Sequence, residues 1–306
     1  MNTYLVSFGE TLRKIRKKLS LTQNNVSELS GINIETIRRI EGGKVIPKFE
    51  TLDLLSSIYK TDLNTLFLKY RVYNYSYFYE IKNRLETKFD ANDFDTMNNE
   101  LKELNTLLNY IHNIYYKNLI TQLSLITEAA ILYNDKGDDS NEVFDKLIKA
   151  MKITNPKFNL SNYKSLVYSS MEIRILMNIS SVLYLSDNKE KHREMMEFCF
   201  KAADSNDEVY PKICWNLARI CVKDKDFKKA LEFSSAGIKA CQKSRNLNNL
   251  DVLYYVKGVA EYILNKKEYI ESFNTSIILC EAFGHDKLKN IIMNDYEDIS
   301  DIEKIF

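Results

Sequence analysis

Three polar side chains, Glu35, Thr36 and Arg39, lie at spacings of one and three residues within the stretch IETIRRIEGGK. An arginine guanidinium can donate two hydrogen bonds to guanine O6 and N7, and a glutamate carboxylate can accept one from the cytosine amino group. Lys44 follows two consecutive glycines and can hold a phosphate without reading base sequence. These residue types in this order suit the edges and backbone of a DNA duplex.

The residues before this stretch predict a short helix and a turn. Thr22 is a good N-cap for a helix over 23–30, and Gly31 is suited to end that helix in the left-handed region. Val26 and Leu29 are expected to be the inward side chains of this helix.

A second short helix is predicted over 34–41, with Asn33 as its cap. Ile37 and Ile40 are expected to face the core, and the glycines at 42–43 would end the helix sharply. Two short helices joined by a turn that contains glycine are typical of a helix-turn-helix motif.

Three more helices are predicted to complete an N-terminal five-helix module. The first has apolar residues at spacings of four, three and four, namely Phe8, Leu12, Ile15 and Leu19. A fourth is expected over 47–59 and a fifth from Leu63 to Phe67. The first 70 residues carry 11 Lys and Arg against 7 Asp and Glu, whereas the rest carries 32 against 35. This asymmetry favours contact of the N-terminal module alone with a polyanion.

This module resembles the Cro/C1-type (XRE) helix-turn-helix family over roughly the first 67 residues. The matching segments are LTQ at 21–23, LSGIN at 29–33, TIRRIEGGK at 36–44, the proline at 47, and TLDLLSSIYKTDLNTLF at 51–67. The resemblance implies the following DNA contacts: phosphate at Gln23, Asn33 and Lys44, and base edges at Ile34, Glu35, Thr36 and Arg39. It also implies that Gln23 braces the base-reading residues and that Arg16 and Glu41 form a buried ion pair.

Two alternatives remain open for this module. Ile34 departs from the family pattern, in which this position is often polar, so it either touches a thymine methyl group or packs. The whole module could also be repurposed to contact protein.

The stretch YRVYNYSYFYE, from Tyr70 to Glu80, is unusually aromatic. Its alternation suits a strand, whereas Tyr70, Tyr73, Tyr77 and Ile81 follow helical spacing. We interpret it as a linker helix over 70–82. The aromatic side chains could stack on single-stranded bases, but packing explains them better because few Lys and Arg are interleaved.

The C-terminal two-thirds of the chain contains degenerate repeats. The clearest unit, PKICWNLARICVKDKDFKKALEFSSAGIKA at 211–240, places Phe227 nine residues after Ala218 and Ala230 three residues later. The same spacing recurs 42 residues further on, at Ala260, Tyr269 and Ser272. Looser copies lie at Leu183, His192, Met195 and Ala202, and at Leu85, Phe94 and Met97. Small residues at such positions let paired antiparallel helices approach, and each pair must stack on the next.

These units resemble tetratricopeptide repeats, which implies a concave groove lined by the first helix of each pair. In that register the groove-facing residues are Asn178, Lys212, Trp215, Asn216, Arg219, Tyr254 and Lys257. An asparagine amide can pair with an extended peptide backbone, and Arg or Lys can hold a carboxylate. Ordinary packing of Trp215 and solvation of Lys212 are the alternatives.

Composition excludes several classes of protein. With 8 Gly and 3 Pro in 306 residues, the chain has few turn residues, which favours helices. The five cysteines form no CxxC pair and the three histidines are scattered, so we expect reduced thiols, no metal site and no cofactor. No HExxH, GxSxG or glycine-rich phosphate loop is present, so an enzyme is not expected. Without a long apolar run or a secretion signal, a cytoplasmic protein with no membrane contact is predicted.

Together the N-terminal five-helix module and the repeats resemble the RRNPP family of peptide-responsive regulators, the Rgg/PlcR/PrgX-type group. This implies an all-α chain, with a five-helix DNA-binding domain at 1–69, a linker helix at 70–82, and a tetratricopeptide-like right-handed superhelix at 83–306. It further implies a transcription factor that binds an inverted-repeat operator as a homodimer and whose repeat domain binds a short imported signalling peptide. The alternatives are a repeat-containing protein-interaction regulator and a DNA-binding repressor without a peptide signal.

Overall fold

The structure is a computed structural model that describes residues 3–71, 73–90, 93–111, 113–136, 140–185, 188–245 and 247–297. Within these ranges every regular element is helical, as the scarcity of turn residues predicts. The chain divides into two compact units, which we call the head unit, Met1–Asn83, and the repeat unit, Arg84–Phe306. Each is described by itself below.

The head unit is built from five helices that begin and end close to the predicted boundaries. They are α1 (Thr3–Lys18), α2 (Gln23–Ser30), α3 (Ile34–Glu41), α4 (Phe49–Tyr59) and α5 (Leu63–Arg71). The Thr22 hydroxyl accepts from the Asn25 backbone N–H at 3.1 Å, and the Asn25 side chain accepts from the Thr22 N–H at 2.9 Å. This reciprocal cap starts α2, and Gly31 ends it at a φ of 70°.

The core of the head unit contains most of the predicted apolar residues of α1, α3, α4 and α5, but Ile15 and Leu19 are only half-buried. The buried set is Leu5, Phe8, Leu12, Val26, Ile37, Ile40, Leu52, Leu55, Tyr59, Leu63 and Phe67. Leu29 is 66% exposed, so its predicted inward position is wrong. The less exposed face of α2 runs through Gln23, Val26 and Ser30, and Leu29 lies to one side of it. Helix α4 starts at Phe49, two residues after Pro47, with no side-chain cap at Lys48.

The aromatic stretch is helical, and helix α6 (Tyr73–Asp90) extends beyond the predicted linker. Val72 and the side chain of Tyr73 lie outside the described residues. Phe78, Ile81 and Leu85 are buried at spacings of three and four, whereas Tyr77 is 41% exposed. The buried face therefore passes through Phe78 instead of the predicted Tyr77.

The repeat unit is a series of helices in which each packs mainly on the next along the chain. They are α7 (Asn98–Leu108), α8 (Ile114–Lys136), α9 (Ser140–Lys152), α10 (Ser170–Leu185), α11 (Lys189–Ala202), α12 (Tyr210–Lys223), α13 (Phe227–Ser244), α14 (Leu250–Ile263), α15 (Tyr269–Phe283) and α16 (Asp286–Glu297). This nearest-neighbour packing is typical of a helical-repeat protein.

Small residues at the repeat positions allow the close helix packing that the sequence predicts. Ala218, Ala230 and Ala260 are fully buried. A Cβ atom added at Gly237 would lie 2.8 Å from a Leu253 methyl and 2.9 Å from the Cys214 Cβ, so α13 and its neighbours are close at this point. Ala202 is exposed because it is the last residue of α11, which makes the looser copy at 183–202 wrong at that position.

The five cysteines are all buried and unpaired in disulfides. Burial raises the pKa of Cys199 and Cys280 to about 12. These thiols are therefore core residues with little thiolate character, as expected for reduced cysteines.

Candidate functional site

Helix α3 has an inward and an outward face. Asn33 Oδ1 accepts a hydrogen bond from the Glu35 backbone N–H at 2.8 Å, which caps the helix. Ile37 and Ile40 are buried, whereas Glu35 and Arg39 are exposed on the other side. A short capped helix with one polar face outward has the shape of an element that lies in a DNA major groove.

The remaining predicted contacts of this helix have different environments. Ile34 and Thr36 are half-buried, and Asn33 and Lys44 are exposed. Packing against the protein leaves part of the Ile34 side chain exposed. A contact with a thymine methyl group therefore stays a prediction. The base-edge and phosphate roles of all these residues are likewise predictions.

Glu41 at the end of α3 accepts hydrogen bonds from three other elements. Arg16 donates from Nε to Oε1 at 2.6 Å and from Nη2 to Oε2 at 2.9 Å, so the predicted buried ion pair is confirmed. Gln23 Nε2 donates to Oε2 at 2.8 Å, and the Tyr59 hydroxyl donates to Oε1 at 3.2 Å. Burial alone would raise the pKa of Glu41, but the Arg16 and Gln23 hydrogen bonds outweigh it and hold that pKa below its ordinary value.

The hydrogen bond from Gln23 to Glu41 supports the predicted bracing role. Its amide links the start of α2 to the end of α3 through Glu41. The side chain remains half-exposed and accessible, and its phosphate contact stays a prediction.

The two glycines after α3 allow a tight reversal. Gly43 has a φ of 65°, and a Cβ atom there would lie 2.7 Å from the Val6 Cα. The Lys44 backbone N–H donates to the Arg39 carbonyl at 2.9 Å, which folds the chain back over the end of the helix. This reversal brings the Lys44 backbone to the C-terminal end of α3.

Arg38 is a candidate contact residue that the sequence reasoning missed. Its Nη1 lies 3.5 Å from Glu35 Oε2, and both side chains are exposed. The adjacent arginines at 38 and 39, both on an outward surface, were the available signal. If Glu35 contacts a base, its carboxylate would either leave this weak ion pair with Arg38 or bond to both partners.

The repeat unit contains a cavity of about 440 Å³ lined by residues of α6 and α8–α12. It brings together five of the seven predicted groove residues, Asn178, Lys212, Trp215, Asn216 and Arg219. The Lys212 Nζ lies 2.9 Å from Asp90 Oδ1, and Asn216 Nδ2 donates to the Lys212 carbonyl at 2.8 Å. Lys212 is therefore an ion-paired residue of the cavity wall and is not a solvated surface charge.

Tyr254 and Lys257 do not line this cavity. The Lys257 Nζ lies 2.7 Å from Glu261 Oε1 and donates to the Ser272 hydroxyl at 2.9 Å. These contacts hold Lys257 between α14 and α15, which explains why it does not line the cavity with the residues that the repeat register grouped it with.

The cavity also contains residues that the sequence reasoning missed, among them Phe89, Arg174, Tyr184 and His192. Arg174 is ion-paired with Glu86, and its guanidinium carbon lies 4.9 Å from the centre of the Phe89 ring. An arginine inside the apolar run MEIRILMNI was a usable signal, because such a charge needs a partner. Its partner on α6 is too distant in sequence to be predicted.

Metal sites and membrane-spanning helices are absent from the described part of the chain. No group of three or more His, Cys, Asp and Glu side chains there could hold a metal ion. None of the helices in those ranges is long and apolar enough to cross a membrane.

Comparison with known proteins identifies a matching family and a curated relative. Residues 12–66 match the helix-turn-helix family. The HTH-type transcriptional repressor RghR of Bacillus subtilis (strain 168) is 34% identical over 96 residues, which are 30% of this chain and 71% of that protein. Because this relative is a regulator, it agrees with the expectation that the chain is not an enzyme.

Solved structures resemble nearly the whole chain in fold. Bacillus thuringiensis PlcR in complex with the peptide PapR7 and DNA has a TM-score of 0.69 at 16% identity, covering 94% of this chain and 99% of that chain. ComR from S. thermophilus, in complex with DNA and its signalling peptide ComS, has a TM-score of 0.59 at 15% identity, covering 94% and 97%. The predicted all-α fold, with a helix-turn-helix head and helical repeats, is thereby confirmed.

Proposed function

Because the chain belongs to the helix-turn-helix family of DNA-binding transcriptional regulators, we propose that it binds a specific operator and that a short peptide in its repeat unit changes operator affinity. The protein would act in the cytoplasm on a peptide imported from outside. The domain roles follow: residues 1–69 bind DNA, 70–82 link, and 83–306 bind the peptide and a second copy of the chain.

The outward face of α3 is the observation that carries the DNA-binding part of the proposal. Arg39 and Glu35 are exposed on a helix whose opposite face is buried. Arg39 would donate to a guanine, and Glu35 would accept from a cytosine. Thr36 and Ile34 would add contacts at the same groove, and Gln23, Asn33 and Lys44 would bind phosphates.

The cavity of the repeat unit supports the peptide-binding part. It combines apolar side chains such as Met177 and Trp215 with a few polar ones, including Asn178. Such a mixture is typical of ligand sites, in which apolar groups supply area and polar groups fix orientation. PlcR and ComR, which share the fold, were each solved with a peptide and DNA. A peptide regulates here only if it binds one conformation of the chain more tightly than another.

A homodimer on an inverted repeat completes the proposal. One α3 reads only a few base pairs, so two heads are needed for a specific site. Their half-sites would be about 34–36 Å apart, or a multiple of that distance, so that both heads meet the same side of the duplex.

In vitro selection tests this function. The full chain is incubated with a pool of random duplexes, and bound DNA is sequenced over several rounds. We expect enrichment of an inverted repeat with a fixed half-site spacing. Enrichment of no motif at any salt concentration would contradict sequence-specific binding and leave only the salt-dependent attraction that any basic surface has for DNA.

A further inference from the structure

Arg219 is a half-buried cation in the cavity of the repeat unit, and its charge is not neutralised by a carboxylate in the described ranges. Its guanidinium carbon lies 5.2 Å from the centre of the Trp215 ring on the same helix. No ion pair joins it to an Asp or Glu among the residues that the structure describes. Burial lowers the pKa of Arg219 from its ordinary value, as expected for a cation with little access to solvent.

The other deeply placed cations of the cavity already have acidic partners. Arg174 is paired with Glu86, and Lys212 with Asp90. Lys223, at the exposed end of α12, donates to the Tyr184 hydroxyl at 3.3 Å and lies 5.2 Å from the centre of that ring. None of the residues lining the cavity is acidic. Arg219 and Lys223 therefore give the cavity a positive charge that the described lining does not offset.

An uncompensated charge of this kind is unfavourable to the free protein. A buried or partly buried cation loses hydration, and without a carboxylate it recovers little of that free energy. The cation–π contact with Trp215 compensates in part and restrains the guanidinium. A guanidinium held in this way can donate two parallel hydrogen bonds to a carboxylate with little further loss of side-chain freedom.

We propose that Arg219, held against Trp215, binds a carboxylate of the peptide ligand, so that the ligand class is short apolar peptides with a free acid group. This inference rests on the proposed peptide-binding function and specifies the chemistry of the same cavity. The carboxylate would be the peptide C-terminus or an acidic side chain. Apolar ligand side chains would contact Met177, Val182 and Ile220, which line the same space.

The test uses three pools of short synthetic peptides made from Leu, Phe, Ile, Val and Gly. One pool has free C-terminal carboxylates, one is C-terminally amidated, and one is amidated but carries a single Glu. Each pool is mixed with the full chain, and retained peptides are counted by mass spectrometry after size exclusion. We expect the first or the third pool to be retained about tenfold more than the neutral amidated pool, as one charge-assisted hydrogen-bond pair would give. Which of the two is retained identifies the source of the carboxylate.

Variants assign the effect to the residue. Arg219→Gln is expected to abolish the preference for acid peptides, and Arg219→Lys to keep part of it. Arg193→Gln is the matched control, because Arg193 is ion-paired with Asp224 and does not line the cavity. Without ligand, Arg219→Gln is expected to unfold at the same temperature as the original chain or higher, because it removes an uncompensated charge.

The outcomes separate this inference from the proposed function. Equal retention of neutral and acid peptides would overturn the inference while peptide binding stands. Retention of no pool would overturn peptide binding and the inference with it. If a folded Arg219→Gln variant keeps the full acid preference, Arg219 is not the carboxylate site. The comparison of pools on the original chain decides the inference even if that variant does not fold.

Discussion

Arg16 and Glu41 are joined by two hydrogen bonds inside the head unit, from Nε to Oε1 at 2.6 Å and from Nη2 to Oε2 at 2.9 Å. The same carboxylate accepts from Gln23 and Tyr59. One side chain at the end of α3 therefore fixes this helix to α1, α2 and α4. The orientation of the proposed base-reading face depends on this carboxylate.

Loss of one partner of this pair is expected to destabilise the head unit. Glu41→Gln leaves Arg16 buried without a counter-charge, so the free energy of unfolding should fall by about 3–5 kcal/mol. Hydrogen exchange of head-unit amides in the full chain measures this change. Arg38→Gln is the control: its exposed pair with Glu35 should contribute less than about 1 kcal/mol. Equal effects of the two substitutions would show that the buried pair has no special role.

The reversal after α3 predicts a difference between two glycines with similar dihedral angles. Gly31 and Gly43 have φ values of 70° and 65°, but only at Gly43 would a Cβ meet backbone atoms, those of Leu5 and Val6. Gly31→Ala should cost about 1–2 kcal/mol from the left-handed conformation alone. Gly43→Ala should cost more, because α1 must also move. Hydrogen exchange of head-unit amides compares the two variants. An equal loss of stability would mean that the close approach of Gly43 to α1 is easily relieved.

His192 predicts a pH dependence in the repeat unit. Its Nδ1 lies 2.8 Å from the Ser180 hydroxyl, and burial lowers its pKa below the ordinary 6.5, with Arg219 and Lys223 adding to the effect. The stability contributed by neutral His192 is therefore present above pH 6.5 and is lost as the pH falls through the lowered pKa. The fluorescence of Trp215, the single tryptophan, reports the unfolding midpoint at each pH. His192→Gln should reduce this dependence, and a dependence unchanged in that variant would contradict this assignment.

Lys44 is predicted to bind a phosphate, which gives it a salt-dependent signature. Lys44→Ala should weaken binding to all duplex sequences alike and reduce the slope of log affinity against log salt by about one. Filter binding on a selected operator and on a scrambled duplex measures both effects. Lys69→Ala, an exposed lysine of α5 outside the predicted contacts, is the control and should change neither. A loss confined to the operator would mean that Lys44 reads bases.

Local signals in the sequence were sufficient for α2 and α3. Their predicted boundaries agree with the structure because Thr22, Gly31 and Asn33 act within a few residues of themselves. Apolar spacing was less decisive in helices where more than one line of apolar residues could face the core. Leu29 and Tyr77 were both assigned to a buried face, yet the buried residues of those helices lie on a neighbouring stripe.

The cavity was only partly predictable for a different reason. Repeat register placed five residues of α10 and α12 at it, because those positions share one face of their helices. The acidic partners of Arg174 and Lys212 could not be found in this way. These partners, Glu86 and Asp90, belong to α6, whereas the cations they pair with belong to later helices. Such pairing is decided by how the helices stack, which the spacing within one repeat does not encode.

Base preference of an Arg39→Ala variant tests the central claim most directly, that the outward face of α3 reads the operator. The original chain and the variant are taken through the same selection from random duplexes, and the enriched motifs are compared position by position. The account predicts that the variant loses preference at one position of each half-site, by about 1–3 kcal/mol, and keeps it elsewhere. An unchanged motif in the variant would contradict base reading by this helix.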